Sequence, residues 1–324
     1  MFELADRMSR LGTESAFQVL ARARELEARG RDVIHLEIGE PDFDTPAHIV
    51  EAACRALHEG WTHYTASQGI PELRNLIAEQ TSHRRAQPVE PAQVVVTPGA
   101  KPIMFYTLLA LAQPGREVIY PDPGFPIYKS MIDFCGAKAV PLPLREEMDF
   151  RLQVDELRSL ITERTALVIL NSPHNPTGGA LEPSDLEAIA ELCIRHNIPV
   201  LSDEVYEEIL YDGSFCSIAT FPGMSTRERT IILHGFSKTY AMTGWRLGYG
   251  VMPEWLAEQV NRLMVNSNSC TNAATQWAGV AALTGPQEPV AEMVEAFRQR
   301  RRVIVDGLNS IPGISCRMPR GAFY

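Results

Sequence analysis

Five short apolar runs, each ended by a turn signal, constrain this chain more than any other feature. In order they are VVVTPG (94–99), EVIYPDPG (117–124), TALVILNSP (165–173), IPVLSDE (198–204) and TIILHGFSK (230–238). Unbroken Val, Ile and Leu without polar alternation suits strands covered on both faces. Helical spacing lies between them, as in IMFYTLLALA after the first run and in a stretch after the third that opens at Ser184 as its expected N-cap. The series is a βα alternation. The expected fold class is α/β, a mainly parallel sheet between layers of helices.

A first helix is expected over 14–30, with Phe17, Leu20 and Leu26 on its apolar face and Gly30 as its C-terminal stop. At 324 residues the chain exceeds the usual size of one core, so two domains are expected. The large one covers 45–285; the small one joins 1–44 to 286–324. The basic cluster Arg298, Arg300, Arg301 and Arg302 reads as a solvated helix face. A net charge of −10 argues against general affinity for nucleic acid or anionic membranes and favours a small-molecule partner. No apolar run approaches the roughly 20 residues of a membrane span. The start, MFELADRMSR, carries charges where a signal peptide has its apolar core, so a cytoplasmic protein is expected. The six cysteines have no CxxC spacing and read as buried reduced thiols, not as a disulfide framework or zinc site; no metal is called for.

In parallel sheets ligands gather beyond the carboxyl ends of the strands. Asn175, Asp203, Tyr206 and Lys238 each follow closely on such an end. A lysine there must be paired or neutralised, and burial with a neighbouring cation such as Arg246 moves it towards the free amine, which condenses with aldehydes. Lys238 is thus a Schiff-base candidate, with an ordinary surface lysine as the reading it has taken alone. It is not a P-loop lysine, because Ser237 precedes it where GxxxxGK[ST] has glycine. Asp203, at the end of PVLSD, needs a proton-bearing cation as partner, and a pyridinium nitrogen is one. Pyridoxal phosphate combines such a ring with an aldehyde. Asn175 and Tyr206 are uncharged donors suited to its phenolic oxygen, although turn asparagine and core tyrosine are their readings in isolation. In TPGAK (97–101) the amides of Ala100 and Lys101 open a helix and can hold a phosphate, with Arg246 as a charged addition. Phe125 offers a flat face for stacking, or is simply a core residue.

The motifs GEPDFDTP (39–46), YTASQGIPELR (64–74), NSPHNPTGG (171–179), SDEVYEEILYDG (202–213) and SKTYAMTGWRLG (237–248), in this order, resemble the class I/II aminotransferases of the fold type I pyridoxal phosphate enzymes. The resemblance covers almost the whole chain. It implies that Lys238 carries the cofactor as a Schiff base and that Asp203 pairs with the pyridine nitrogen. Asn175 and Tyr206 then hold the phenolic oxygen, Phe125 stacks on the ring, and Ala100, Lys101 and Arg246 hold the phosphate. Gly39 meets the substrate carboxylate through its backbone, and Asn175 also belongs to the substrate site. Tyr64 reaches the phosphate of the neighbouring subunit, which implies a homodimer. The chain departs from the pattern at Gly235, where many relatives carry a phosphate-binding hydroxyl; Ser237, directly before Lys238, is the candidate substitute.

Relatives continue beyond PRGAFY (319–324) through a stretch that supplies an arginine for the substrate α-carboxylate. A C-terminally truncated small domain is therefore expected, with GAFY leading into a strand that lacks partners. The implied reaction is ping-pong amino transfer from an amino acid to a 2-oxo acid. A β- or γ-eliminating lyase on the same scaffold and a non-catalytic regulatory domain are the rival readings. The segment MVNSNSCTNAATQ (264–276) has no arginine for a second substrate carboxylate, which favours neutral or aromatic amino donors.

Overall fold

The computed structural model describes residues 2–324. The five apolar runs form the strands β1 (Val94–Thr97), β2 (Glu117–Asp122), β4 (Thr165–Asn171), β5 (Val200–Asp203) and β6 (Thr230–Gly235). Two further strands, β3 (Lys138–Pro143) and β7 (Gly248–Val251), complete a seven-stranded sheet in the order β1-β7-β6-β5-β4-β2-β3. Pairing is parallel from β6 to β3, while β7 runs antiparallel to both β1 and β6.

Helices cover both faces, as unbroken apolar strands require. Val95, Ile231 and Leu233 point to the face covered by α4 (Lys101–Leu111), α5 (Pro126–Phe134) and α9 (Glu254–Ser267). Their neighbours Val94, Val96 and Ile232 point to the opposite face, covered by α2 (Ala47–His58), α3 (Pro71–Arg85) and α10 (Ala273–Thr284). This alternation is the period of two of a strand, and each fully buried Leu or Ile contributes about 1.5–3 kcal/mol. Further along that face α6 (Val154–Leu160) and α7 (Pro183–Arg195) cover β5, β4, β2 and the edge strand β3.

The N-terminal helix α1 (Ala16–Glu27) buries one residue, Ala23, and Gly30 takes the expected left-handed backbone beyond its end. Ser184 is not a cap. Helix α7 starts two residues earlier than such a cap implies, at Pro183, capped by Glu182 with Asp185 in a reciprocal capping box. The last helix, α11 (Glu288–Asn309), corrects the reading of the arginine cluster. Arg301 is buried and pairs with Asp212, Arg298 donates to the Tyr211 carbonyl, and Arg300 reaches Asp42 at 2.6 Å across the rings of Phe43 and Phe297. The cysteines are free, yet only Cys193 is buried. GAFY does find partners: Gly321 bridges Leu210, and Ala322 N–H donates to the Ile209 carbonyl at 2.8 Å. Among the described residues no helix is long and apolar enough to cross a membrane.

Candidate active site

The carboxyl ends of β4, β5 and β6 open into one cavity of about 520 Å³. Lys238, Asp203, Asn175, Tyr206, Ala100, Lys101, Phe125, Ser237, Arg246 and Gly39 all line it. Tyr64 does not; its side chain is 88% exposed elsewhere on the surface.

Each side chain owes its position to a strand end. Asp203 is the last residue of β5 and is buried at the floor. Its Oδ2 accepts a hydrogen bond from the Tyr128 hydroxyl at 2.5 Å, and its Oδ1 one from the Val205 amide at 3.4 Å. Burial pushes the carboxyl up to about 6, against the pull of the Tyr128 hydrogen bond. Asn171, closing β4, accepts from the Asn175 amide at 2.8 Å and donates to the Asp203 carbonyl at 3.1 Å, tying the Asn175 loop to the neighbouring strand. Tyr206 lies in the turn after β5, and burial raises its phenol well above the usual range, so it stays a neutral donor. Behind that turn Arg85 pairs with Glu204 at 2.7 Å and with Glu207, and this buried network holds the segment in place.

Lys238 sits in the single helical turn α8 (Phe236–Thr239) directly after β6. Its ammonium donates to the Gly39 carbonyl. Burial lowers it to about 8; Glu40 and Glu14 oppose the shift, while Lys101 and Arg246 add to it. The chain has four lysines. The other three are engaged with carboxylates: Lys101 with Glu14 at 2.7 Å, Lys129 with Asp133 at 2.5 Å and Lys138 with Glu117 at 3.1 Å. Among the described residues, Lys238 alone faces a cavity without such a partner.

At the opposite end, Gly99 (φ +87°) turns the chain from β1 into α4, leaving the first amides of the helix without intrahelical partners. A Cβ at Gly99 would stand 2.1 Å from the Arg246 guanidinium, and one at Gly248 would stand 2.4 Å from the Ala100 nitrogen. Both positions need glycine so that this turn can pack against β7 and Arg246. The Arg246 guanidinium donates to the Thr243 carbonyl at 2.8 Å and, among the described residues, pairs with no carboxylate.

A phosphorylated pyridine aldehyde fits this donor set. The cavity supplies an amine of lowered basicity for the aldehyde, a buried carboxyl for the ring nitrogen, and an unpaired guanidinium beside helix amides for the phosphate. Three further residues belong to the site without having been singled out in the sequence. Tyr128 orients Asp203, Glu14 pairs with Lys101, and Tyr324 meets the Tyr206 hydroxyl at 2.9 Å and Asn175 Nδ2 at 3.3 Å.

The sequence model of the family described as Aminotransferase class I and II matches residues 31–324. The chain belongs to that family. Aspartate aminotransferase of Musicola paradisiaca is 40% identical over 100% of this chain and 81% of its own length. The structure of the Thermus thermophilus aspartate aminotransferase with maleate superposes with a TM-score of 0.95 at 36% identity, covering 99% of this chain and 84% of that one. The aromatic aminotransferase of Pyrococcus horikoshii OT3 superposes at 0.87 with 41% identity, over 94% of this chain and 81% of that one. This class I/II aminotransferase is accordingly a pyridoxal phosphate-dependent transferase acting on amino acids and 2-oxo acids, and the lyase and regulator readings give way to it.

Proposed function

We propose that the aminotransferase reaction runs in the cavity at Lys238, with the residue roles that the strand ends suggest. The observation that carries this reading is the convergence of Lys238, Asp203 and Arg246 on one cavity, with burial lowering the basicity of the Lys238 amine and no carboxylate pairing with Arg246 among the described residues. Pyridoxal phosphate, when bound, supplies an aldehyde carbon that accepts the amino group and a ring that takes up the electron pair left at the substrate Cα. Lys238 is the group that holds the aldehyde. With a substrate in place its Nζ would be the base that takes the Cα proton and gives it back, as a group with basicity near ambient pH does well. Asp203 keeps a proton on the ring nitrogen, and Tyr128 keeps Asp203 aligned. Asn175 and Tyr206 donate to the phenolic oxygen, and Asn175 also borders the substrate. Phe125, on the cavity wall, would stack on the ring. Ala100, Lys101 and Arg246 anchor the phosphate, the first two through their amides, with Ser237 beside them. Gly39 presents its backbone to the substrate carboxylate.

The same reading includes a homodimer in which the exposed Tyr64 reaches the partner's phosphate, and a cytoplasmic location. It also divides the chain into a large unit at 45–285, holding the whole sheet, and a small unit made of 1–44 and 286–324. Met293 and Phe297 of α11 pack with Phe43 and Phe323 of the small unit, and through Tyr206, Ile209 and Tyr211 this cluster docks that unit on the large one.

Two-substrate kinetics test the reaction. Double-reciprocal plots for an amino donor and a 2-oxo acid are expected to be parallel; intersecting lines contradict the two-half cycle. The pH dependence of cofactor uptake tests Lys238. A lysine whose basicity lies at about 8 is about one-tenth free amine at pH 7 and mostly free at pH 9. The rate at which the cofactor-free protein binds pyridoxal phosphate covalently should rise about tenfold between these values and then level off. A rate still climbing through pH 10 would assign the reaction to an ordinary lysine.

A further inference from the structure

The part of the cavity wall around Lys101 is built unlike the rest. Glu14, just before α1, reaches across the mouth to Lys101 Nζ at 2.7 Å. That ammonium lies over the Phe125 ring at 5.1 Å and the Phe17 ring at 5.8 Å. Phe17, Leu20, Ile38 and Met104 supply the remaining wall, all apolar. Of the cations on the lining, Lys238 and Arg246 belong to the cofactor in the reading above, so Lys101 is the one that could take a second substrate carboxylate. Its charge is already taken by Glu14. A further carboxylate on the lining, Glu40, accepts from the Thr243 hydroxyl at 2.6 Å and adds negative potential to the cavity.

We propose that Glu14 determines substrate specificity: by occupying Lys101 it shapes the side-chain subsite for uncharged, apolar or aromatic amino donors and against dicarboxylic ones. The inference rests on the assignment of this cavity as the active site. A dicarboxylate entering it has to break the Glu14–Lys101 pair and leave Glu14 unpaired beside its own charge. An uncharged side chain leaves the pair intact and packs on Phe17, Leu20 and Ile38. Discrimination by a repulsive group already in place is negative selection, and one partly exposed charge pair supports about a tenfold effect.

The test uses the cofactor-loaded enzyme with Glu14→Gln, Lys101→Met and the double variant. Dissociation constants are measured by calorimetry for succinate, a dicarboxylate that cannot react. Single-donor half-reactions give kcat/KM for phenylalanine, leucine and aspartate. The wild type should favour phenylalanine and leucine over aspartate. Glu14→Gln should tighten succinate about tenfold and raise kcat/KM for aspartate by a similar factor, while phenylalanine changes less than about threefold; adding Lys101→Met should cancel both gains. An unchanged succinate constant in Glu14→Gln, or a wild type that prefers aspartate, overturns the selector role. If the loaded wild type converts none of the three donors, the underlying assignment of the site falls instead.

Discussion

Lys238→Ala should lose transamination by at least about four orders of magnitude, because one side chain supplies both the nucleophile and the proton carrier. No second group can stand in. The nearest other ammonium, Lys101, is held by Glu14, and the buried phenols of Tyr206 and Tyr128 are too weakly acidic to cycle a proton near neutral pH. The protein should still fold, since removing a buried, partly desolvated ammonium takes away a cost, not a support. Thermal unfolding of the cofactor-free variant checks that point, and a substrate turnover assay checks the loss. Activity within about tenfold of wild type in the variant would remove Lys238 from its role.

Asp203→Asn should produce the next largest effect, a loss of about two to three orders of magnitude in turnover together with weaker cofactor binding. The carboxyl lies in a site that raises it to about 6 when no cation faces it. A protonated ring nitrogen reverses that shift by giving the buried charge a partner, and breaking such a pair costs about 3–5 kcal/mol. The sign for stability follows from the same shift. In the cofactor-free protein the folded carboxyl binds its proton more tightly than the unfolded one, so its contribution is fully present below about pH 4 and is lost as pH rises through about 6. Saturation with pyridoxal phosphate should remove this decline. Tyr128→Phe, which takes away only the 2.5 Å hydrogen bond, should weaken the cofactor by about tenfold, well short of Asp203→Asn. Equal losses in the two variants would mean that Asp203 acts merely as a hydrogen-bond acceptor in the core.

What the sequence made legible follows from where each signal lives. Strands buried on both faces write themselves as apolar runs, so β1, β2, β4, β5 and β6 and the polar residues at their ends could be read directly. The strands β3 and β7 could not. KAVPLP carries two prolines, tolerated because β3 is an edge strand, and GYGV carries two glycines because Ala100 and Ile103 pack too closely for a Cβ. Asp203, Lys238 and Arg246 were odd by type at a strand end or in the loop beyond one. Tyr128 and Glu14 were not. Their partners lie 75 and 87 positions away, and a tyrosine on an amphipathic helix or a glutamate before one carries no local mark of such a contact. The arginines of α11 misled for a related reason. Helical spacing puts Arg298 and Arg301 on the face turned to Tyr211 and Asp212, and a run of like charges hides which members are buried.

The central claim is that one lysine of four carries the cofactor. Borohydride reduction of the loaded wild-type protein, followed by proteolysis and mass spectrometry, reads this without reference to any substrate. The expected result is one reduced pyridoxyl phosphate per chain, on the peptide containing Lys238. Attachment at Lys101, Lys129 or Lys138, or no covalent attachment at all, would contradict it.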